Sequence, residues 1–292
     1  MDILVSKYGG FCQGVRRADN EVRRLAALGG EHIVFTIGQL IHNEHYNDEL
    51  RRIGVLPIEI EDVPDILSKN PEKKITLVIR THGITKQGFE RLEQLCRENE
   101  NLSVVDLTCP SVKKIRNIAE EYTSDKTHFV FFATADHPEV VGIMSFVKGD
   151  KTVVSSLEEL EALKIDDKIP ILCAQTTQNL LLFVKIKNFF KKRFTNAQIF
   201  DTICSVTENR QSEATAMARE CDMMIVIGGL ESSNTKKLYE LCSRECKNTS
   251  WIQALDCPPI AIPGDVKKVG ITAGASTPDG IILEVYKSYG KL

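Results

Sequence analysis

The stretch Leu102-Ser-Val-Val-Asp-Leu-Thr-Cys109-Pro110-Ser-Val-Lys-Lys-Ile-Arg-Asn-Ile-Ala119 runs an apolar strand pattern into a cysteine and then into a helical pattern. Pro110 suits the first helical position. The same order of signals recurs twice. Ile3-Leu-Val-Ser6 leads through Gly9-Gly-Phe-Cys12 into Val15-Arg-Arg-Ala-Asp-Asn-Glu-Val22. Gln198-Ile-Phe-Asp-Thr-Ile-Cys204 leads into Ser205-Val-Thr-Glu-Asn-Arg-Gln-Ser-Glu-Ala214. The cysteines stand 97 residues (12 to 109) and 95 residues (109 to 204) apart.

Two further elements share that interval. Apolar runs ending in polar turns lie at Ile33 to His42, Phe129 to His137 and Met223 to Ser233. A third set runs Ile75 to His82, Ile169 to Thr176 and Lys268 to Ser276. Three elements at one period describe three copies of one unit. Continuous β-rich apolar runs alternating with helical stretches predict an α/β fold of three similar small domains, each built on a parallel sheet flanked by helices. The expected units are residues 14–109, residues 110–200, and residues 201–292 together with 1–13. Ligands of such sheets bind beyond the carboxyl ends of the strands, where all nine marked turns fall. Three units around a pseudo-threefold axis would direct three cysteines and six polar turns toward one centre.

Composition limits the function. The 292 residues carry a net charge of −3, with 42% hydrophobic and 26% charged residues. No basic stripe or tail marks a nucleic-acid partner. No apolar run has the length of a membrane span, and the N-terminus lacks the pattern of a signal peptide. A cytoplasmic protein is expected. Nine cysteines, odd in number and scattered, do not form a disulfide framework. Cys96, Cys173 and Cys221 read as small buried hydrophobes. Cys242 and Cys246 share a helical face with no third ligand near, and Cys257 reads as a loop residue.

Cys12, Cys109 and Cys204 remain. Three thiolates at one point could bind zinc, a cluster or nothing. A structural zinc site closes with a fourth protein ligand at short spacing, which is absent here. A cluster held by three cysteines leaves one metal open to a substrate. Each cysteine precedes a helix, whose N-terminal dipole favours thiolate charge. Of six histidines, His42, His82 and His137 fall in the repeated turns, whereas His32, His45 and His128 read as structural. Ser232-Ser233-Asn234, Thr176 and Ser276 add donors suited to a small phosphorylated substrate. Glu139 is open to two readings: a carboxylate seated at a helix N-terminus, or a proton donor.

The motifs Gly10-Phe-Cys-Gln-Gly-Val-Arg-Arg-Ala18, Leu40-Ile-His-Asn43, Thr81-His-Gly83, Thr108-Cys-Pro110 and His137-Pro-Glu-Val140 span the first half of the chain. Gln175-Thr-Thr177, Ile203-Cys204 through Arg210-Gln211, Ser232-Ser-Asn-Thr235 and Thr272-Ala-Gly-Ala-Ser276 span the second. In this order they resemble the 4-hydroxy-3-methylbut-2-enyl diphosphate reductases, terminal enzymes of the non-mevalonate isoprenoid pathway. The resemblance implies one central [4Fe–4S] cluster per chain, held by Cys12, Cys109 and Cys204. It implies a substrate hydroxyl bound at the open iron and removed as water, giving isopentenyl and dimethylallyl diphosphate. His42, His82, His137, Ser232, Ser233, Asn234 and Ser276 would hold the diphosphate. Thr176 would lie near the hydroxyl and Glu139 would deliver protons. Ferredoxin or flavodoxin would supply electrons. Arg116, Val206 and Glu231 depart from the family pattern without removing a ligand. An open-cluster dehydratase of the quinolinate synthase type and a cluster-based redox sensor are the competing expectations.

Overall fold

The computed structural model describes residues 1–254 and 260–289; Cys257 lies outside the described residues. The chain opens with β1 (Asp2–Val5), α1 (Gln13–Ala26), β2 (His32–Ile37), α2 (Glu44–Arg52) and β3 (Leu56–Ile58). It continues with α3 (Val63–Lys69), β4 (Lys74–Ile79), α4 (Lys86–Glu98), β5 (Leu102–Asp106) and α5 (Pro110–Tyr122). Next come β6 (Thr127–Phe132), α6 (Pro138–Met144), β7 (Asp150–Val154), α7 (Leu157–Ala162), β8 (Ile169–Ala174), α8 (Leu180–Arg193) and β9 (Gln198–Ile199). The last are α9 (Ser205–Glu220), β10 (Met223–Ile227), α10 (Ser233–Glu245), β11 (Thr249–Ile252), β12 (Lys268–Ala273) and α11 (Asp279–Tyr289).

Among the described residues the strands form three four-stranded sheets, ordered β3-β2-β4-β5, β7-β6-β8-β9 and β1-β12-β10-β11. Every pairing is parallel. The α/β fold with three similar parallel sheets is therefore what the repeat predicts. Each sheet has one topology: the second strand of the copy lies outside the first, and the third and fourth follow on its other side. In the last sheet β1 takes the fourth place beside β12, with Asp2 aligned to Lys268 and Val5 to Ile271. The strand order reverses between first and third strands, where parallel sheets open a crevice for ligands.

Alternating residues explain why the sheets are covered on both faces. Phe129, Phe131, Ile171 and Cys173 pack on one side of the second sheet with Ile115, Ile118 and Ile143. Val130, Phe132, Leu172 and Ala174 pack on the other with Phe183, Ile186 and Phe190. The third sheet divides likewise, with Ile225, Ile227 and Ile271 on one face and Met224 and Val226 on the other. No helix among the described residues is long and apolar enough to cross a membrane.

The chain separates into two compact units. One comprises Met1–Arg16, Ile41–Leu50 and Cys204–Leu292 and carries the sheet of β1 and β10–β12. The other comprises Arg17–Leu40 and Arg51–Ile203 and carries the remaining two sheets. Helix α2 and the turn before it thus group with the third sheet, although they follow a strand of the first.

Candidate active site

The three repeated cysteines occupy one local geometry. Each offers its carbonyl to the amide four residues on: Arg16 donates to Cys12 at 2.8 Å, Lys113 to Cys109 at 2.9 Å and Glu208 to Cys204 at 3.0 Å. Each is thus the residue that enters a helix, with Pro110 at the start of α5 as expected. The extended backbone of Cys109 (φ −58°, ψ 137°) and Cys204 (φ −68°, ψ 133°) leaves the side chain outside the helix. The amide of Val15 lies 3.5 Å from Cys12 Sγ, so the first turn of α1 donates toward sulfur. All three thiols are half-buried.

Neighbouring strands seat these loops. The Cys109 amide donates to the Thr81 carbonyl at 2.9 Å and the Cys12 amide to that of Ala275 at 3.3 Å. Ahead of Cys204, Thr202 Oγ1 accepts from the Ala174 amide at 2.7 Å and donates to the Ala174 carbonyl.

The unit of residues 17–40 and 51–203 brings four predicted residues together. His137 enters α6 with its Nδ1 accepting from the Glu139 amide at 3.1 Å. Its ring meets that of His82 edge-on, with centroids 5.3 Å apart. Glu139 is only 2% exposed. Its carboxylate accepts from the Thr176 amide at 2.9 Å and from Thr176 Oγ1 at 2.8 Å. Loss of water pushes its pKa up to about 7, against the smaller opposing effect of the two Thr176 donors. Glu139 sits in the first turn of α6, so its carboxyl is held at a helix N-terminus in a setting that favours the protonated form. Gly83, at φ +77°, lets the His82 turn pass Thr108, where a Cβ would sit 3.3 Å from the methyl group.

In the other unit, Ser232 enters α10 and its Oγ accepts from the Thr235 amide at 3.3 Å. Asn234 is buried, and its Nδ2 has no partner. His42 Nδ1 lies 3.0 Å from the Glu231 carbonyl, tying the His42 turn to the serine turn. Gly229 makes that approach possible, since a Cβ there would stand 2.5 Å from the His42 carbonyl oxygen. Ser233 and Ser276 are half-buried at the ends of the turns after β10 and β12.

The other described cysteines, with His32 and His128, sit in packed or hydrogen-bonded settings. Cys173, Cys221, Cys242 and Cys246 are buried. Burial pushes the Cys242 thiol up to about 12 and raises Cys173 and Cys221 as well. Cys96 is half-buried. His32 of β2 meets Thr76 of β4 at 2.7 Å, and His128 of β6 meets Thr152 of β7 at 2.8 Å. Arg116 lies over the rings of Phe89 and Phe146, at 5.0 and 5.6 Å.

One polar residue was not singled out by its sequence setting. Arg210 of α9 is 1% exposed and donates to the carbonyls of Gly10, at 2.9 Å, and Ala273. Its signal in the sequence is its place at the end of the motif from Ile203-Cys204 through Arg210-Gln211, on a helix whose buried side also carries Thr207 and Gln211.

The family described as LytB protein matches residues 3–289. A 4-hydroxy-3-methylbut-2-enyl diphosphate reductase of Caldanaerobacter subterraneus is 37% identical over the whole of this chain and 98% of its own length. One of Helicobacter pylori is 36% identical, covering 98% of this chain and 97% of its own. A solved (E)-4-hydroxy-3-methyl-but-2-enyl diphosphate reductase, described as the terminal enzyme of the non-mevalonate pathway, is 32% identical with a TM-score of 0.66 and full coverage of both chains. The solved Plasmodium falciparum E-1-hydroxy-2-methyl-but-2-enyl-4-diphosphate reductase has 25% identity and a TM-score of 0.84, covering all of this chain and 87% of its own. By this match along nearly its entire length, the chain belongs to the LytB protein family.

Proposed function

We propose that this enzyme reductively removes the hydroxyl of 4-hydroxy-3-methylbut-2-enyl diphosphate, giving isopentenyl and dimethylallyl diphosphate. The reaction breaks one C–O bond, forms one C–H bond, consumes two electrons and two protons, and releases water. The observation that carries the reading is Glu139: a buried carboxylate with a pKa of about 7, hydrogen-bonded at 2.8 Å to a hydroxyl on an equivalent strand turn. Full-length similarity to enzymes bearing this reductase name supports the substrate.

The donors suit one [4Fe–4S] cluster. Cys12, Cys109 and Cys204 are three soft thiols at equivalent helix starts, and a buried guanidinium carries an unpartnered Nε in the electrostatic reach of two of them. When bound, the cluster supplies electrons and an iron without a protein ligand, a Lewis acid for the leaving oxygen. Reduced ferredoxin or flavodoxin is the proposed donor of those electrons.

The chain's own groups do the rest. His42, His82 and His137 provide imidazoles for the diphosphate, and Ser232, Ser233, Asn234 and Ser276 provide neutral donors. The backbone amide held by His137 Nδ1 fixes that ring so that Nε2 is the nitrogen able to address an anion. Glu139 stores a proton at neutral pH. Its contact with Thr176 Oγ1 lets the hydroxyl accept that proton and pass its own to the substrate.

The test is turnover. Anaerobic protein reconstituted with iron and sulfide, given the hydroxylated diphosphate and reduced methyl viologen, should release both isoprenoid diphosphates. Cluster-loaded protein that forms neither would overturn the reading and leave a redox sensor or another dehydratase.

A further inference from the structure

Each helix that follows a repeated cysteine sends one cation to the loop ahead of the next cysteine in the cycle. From α1, after Cys12, Arg17 donates to the carbonyls of Leu107 and Thr108, at 3.3 and 3.0 Å, just before Cys109. From α5, after Cys109, Lys114 donates to the Asp201 carbonyl at 3.0 Å, three residues before Cys204. From α9, after Cys204, Arg210 donates to the Gly10 carbonyl at 2.9 Å, two residues before Cys12. The clamp is a feature of the repeat.

Two of the three cations are exposed and solvated, so the clamp itself does not require burial. Arg210 is different. It is 1% exposed, its two hydrogen bonds go to neutral carbonyls, and Nε has no partner. Glu213, one turn further along α9, exerts some attraction. Its carboxylate, however, is occupied by Ser6 Oγ and by the amides of Lys7 and Tyr8, at 2.9 and 3.0 Å. A buried cation without an ion-pair partner is costly, and carbonyl dipoles offset only part of that cost. Cys12 follows the Gly10 carbonyl that Arg210 binds by two residues, and Cys204 opens the helix that carries Arg210, so a metal group held by these thiols would bring negative charge to the side of the unpartnered guanidinium.

We infer that Arg210 is a positioning residue that supplies the buried positive counter-charge for the metal group held at Cys12 and Cys204, raising the reduction potential of that group. The inference rests on the cluster reading above. Adding an electron to a thiolate-bound cluster increases its negative charge, and a fixed cation in a low-dielectric surrounding favours that reduced form. The electron comes from the external reductant and no bond to Arg210 changes.

The experiment compares anaerobically reconstituted wild type with Arg210→Gln and Arg210→Lys, using Arg17→Gln as the exposed-clamp control. Iron and sulfide content and the ratio of reduced to oxidised cluster at a fixed viologen poise are read by spectroscopy, without substrate. Arg210→Gln keeps a neutral donor for a carbonyl but loses the charge. Its reduced-to-oxidised ratio should fall about tenfold, equivalent to about 59 mV for one electron. Arg210→Lys keeps the charge without the two-pronged donor, and its ratio should stay within about threefold of wild type, as should that of Arg17→Gln. Equal ratios in Arg210→Gln and wild type would overturn the counter-charge. So would an equal fall in the Gln and Lys variants, which marks a purely structural clamp. If the Gln variant does not fold, the Lys variant decides: a wild-type ratio supports the inference and a tenfold fall rejects it. Wild type that binds no iron and sulfide would instead reject the cluster reading.

Discussion

Glu139 and Arg210 are opposite answers to the same problem. Each is a charged residue almost wholly removed from water, 2% and 1% exposed, and neither has an ion-pair partner among the described residues. Among the described residues the Glu139 carboxylate hydrogen-bonds the amide and hydroxyl of Thr176, and the Arg210 guanidinium hydrogen-bonds carbonyls. The carboxylate can escape its burial by taking a proton, and its pKa rises to about 7. The guanidinium cannot, because burial lowers its pKa only to about 10 and it stays charged at physiological pH. The first group is therefore suited to move a proton and the second to maintain a constant field. One fold unit repeated three times thus holds buried charges of both kinds.

The largest test of that division is Glu139→Gln. If Glu139 is the proton store, kcat should fall between about a hundredfold and ten-thousandfold while KM stays within about threefold, as for a lost general acid. Wild-type kcat should also decline as pH rises through about 7, because the protonated carboxyl is the active form. A Gln variant with full turnover would reduce Glu139 to a carboxylate that merely caps α6.

Stability should report the same titration without substrate. Glu139 has a folded pKa of about 7 against an ordinary value of 4.5. Its contribution is therefore fully present below the unfolded value and lost as pH rises through about 7. That amounts to roughly 3 kcal/mol between the two limits. Denaturant midpoints across this window should fall in wild type and lose this component in Glu139→Gln. Identical pH profiles would mean that the carboxyl never changes charge state. Arg210 should add nothing in the same window, since it does not titrate there.

How far each half of this contrast could be read from sequence follows from the pattern each leaves. Glu139 stands in a turn that recurs near His42 and Ser233, so the repeat directed attention to it. Its partner Thr176 recurs opposite His82 and Ser276 in the same way. The sequence grouped residues 1–13 with the last copy because β1 precedes Cys12 as β5 precedes Cys109, whereas its place beside β12 as a fourth strand comes from the structure. Arg210 recurs as Arg17 and Lys114 after the other two cysteines, but nothing in the sequence separates the buried copy from the two exposed ones. A charged helix residue reads as solvated, and its acceptors Gly10 and Ala273 are 200 and 63 positions away. The approach of His42 to Glu231 was equally hidden, because backbone carbonyls have no sequence signature. Pattern reading recovers what repeats, whereas a charge buried in only one copy needs coordinates.

Thr176→Val sharpens the Glu139 side. It keeps the amide bond at 2.9 Å and removes the hydroxyl at 2.8 Å, leaving side-chain shape nearly unchanged. Both Thr176 donors favour the charged carboxylate, so removing one should push the Glu139 pKa further up. The descending limb of the pH profile should move up by roughly one pH unit. Turnover at neutral pH should still drop about tenfold, because the relay hydroxyl is gone. A limb that moves down would mean that the hydroxyl serves the protonated form instead.

The smallest effect probes whether Glu139 lacks a cationic partner. His137 is two residues away, yet it accepts from the Glu139 amide and leaves the carboxylate to Thr176. His137→Asn preserves a helix-entry acceptor and removes the imidazole, so stability should hold, whereas His137→Ala should cost about 1 kcal/mol. Both should raise KM for the diphosphate alike, because the ring is what the anion loses. Neither should move the limb near pH 7 by more than about half a unit. A larger upward shift in both would mean that the imidazolium had been holding Glu139 in its charged form. Glu139 would then be half of an ion pair, and the contrast with Arg210 would rest on the cation alone.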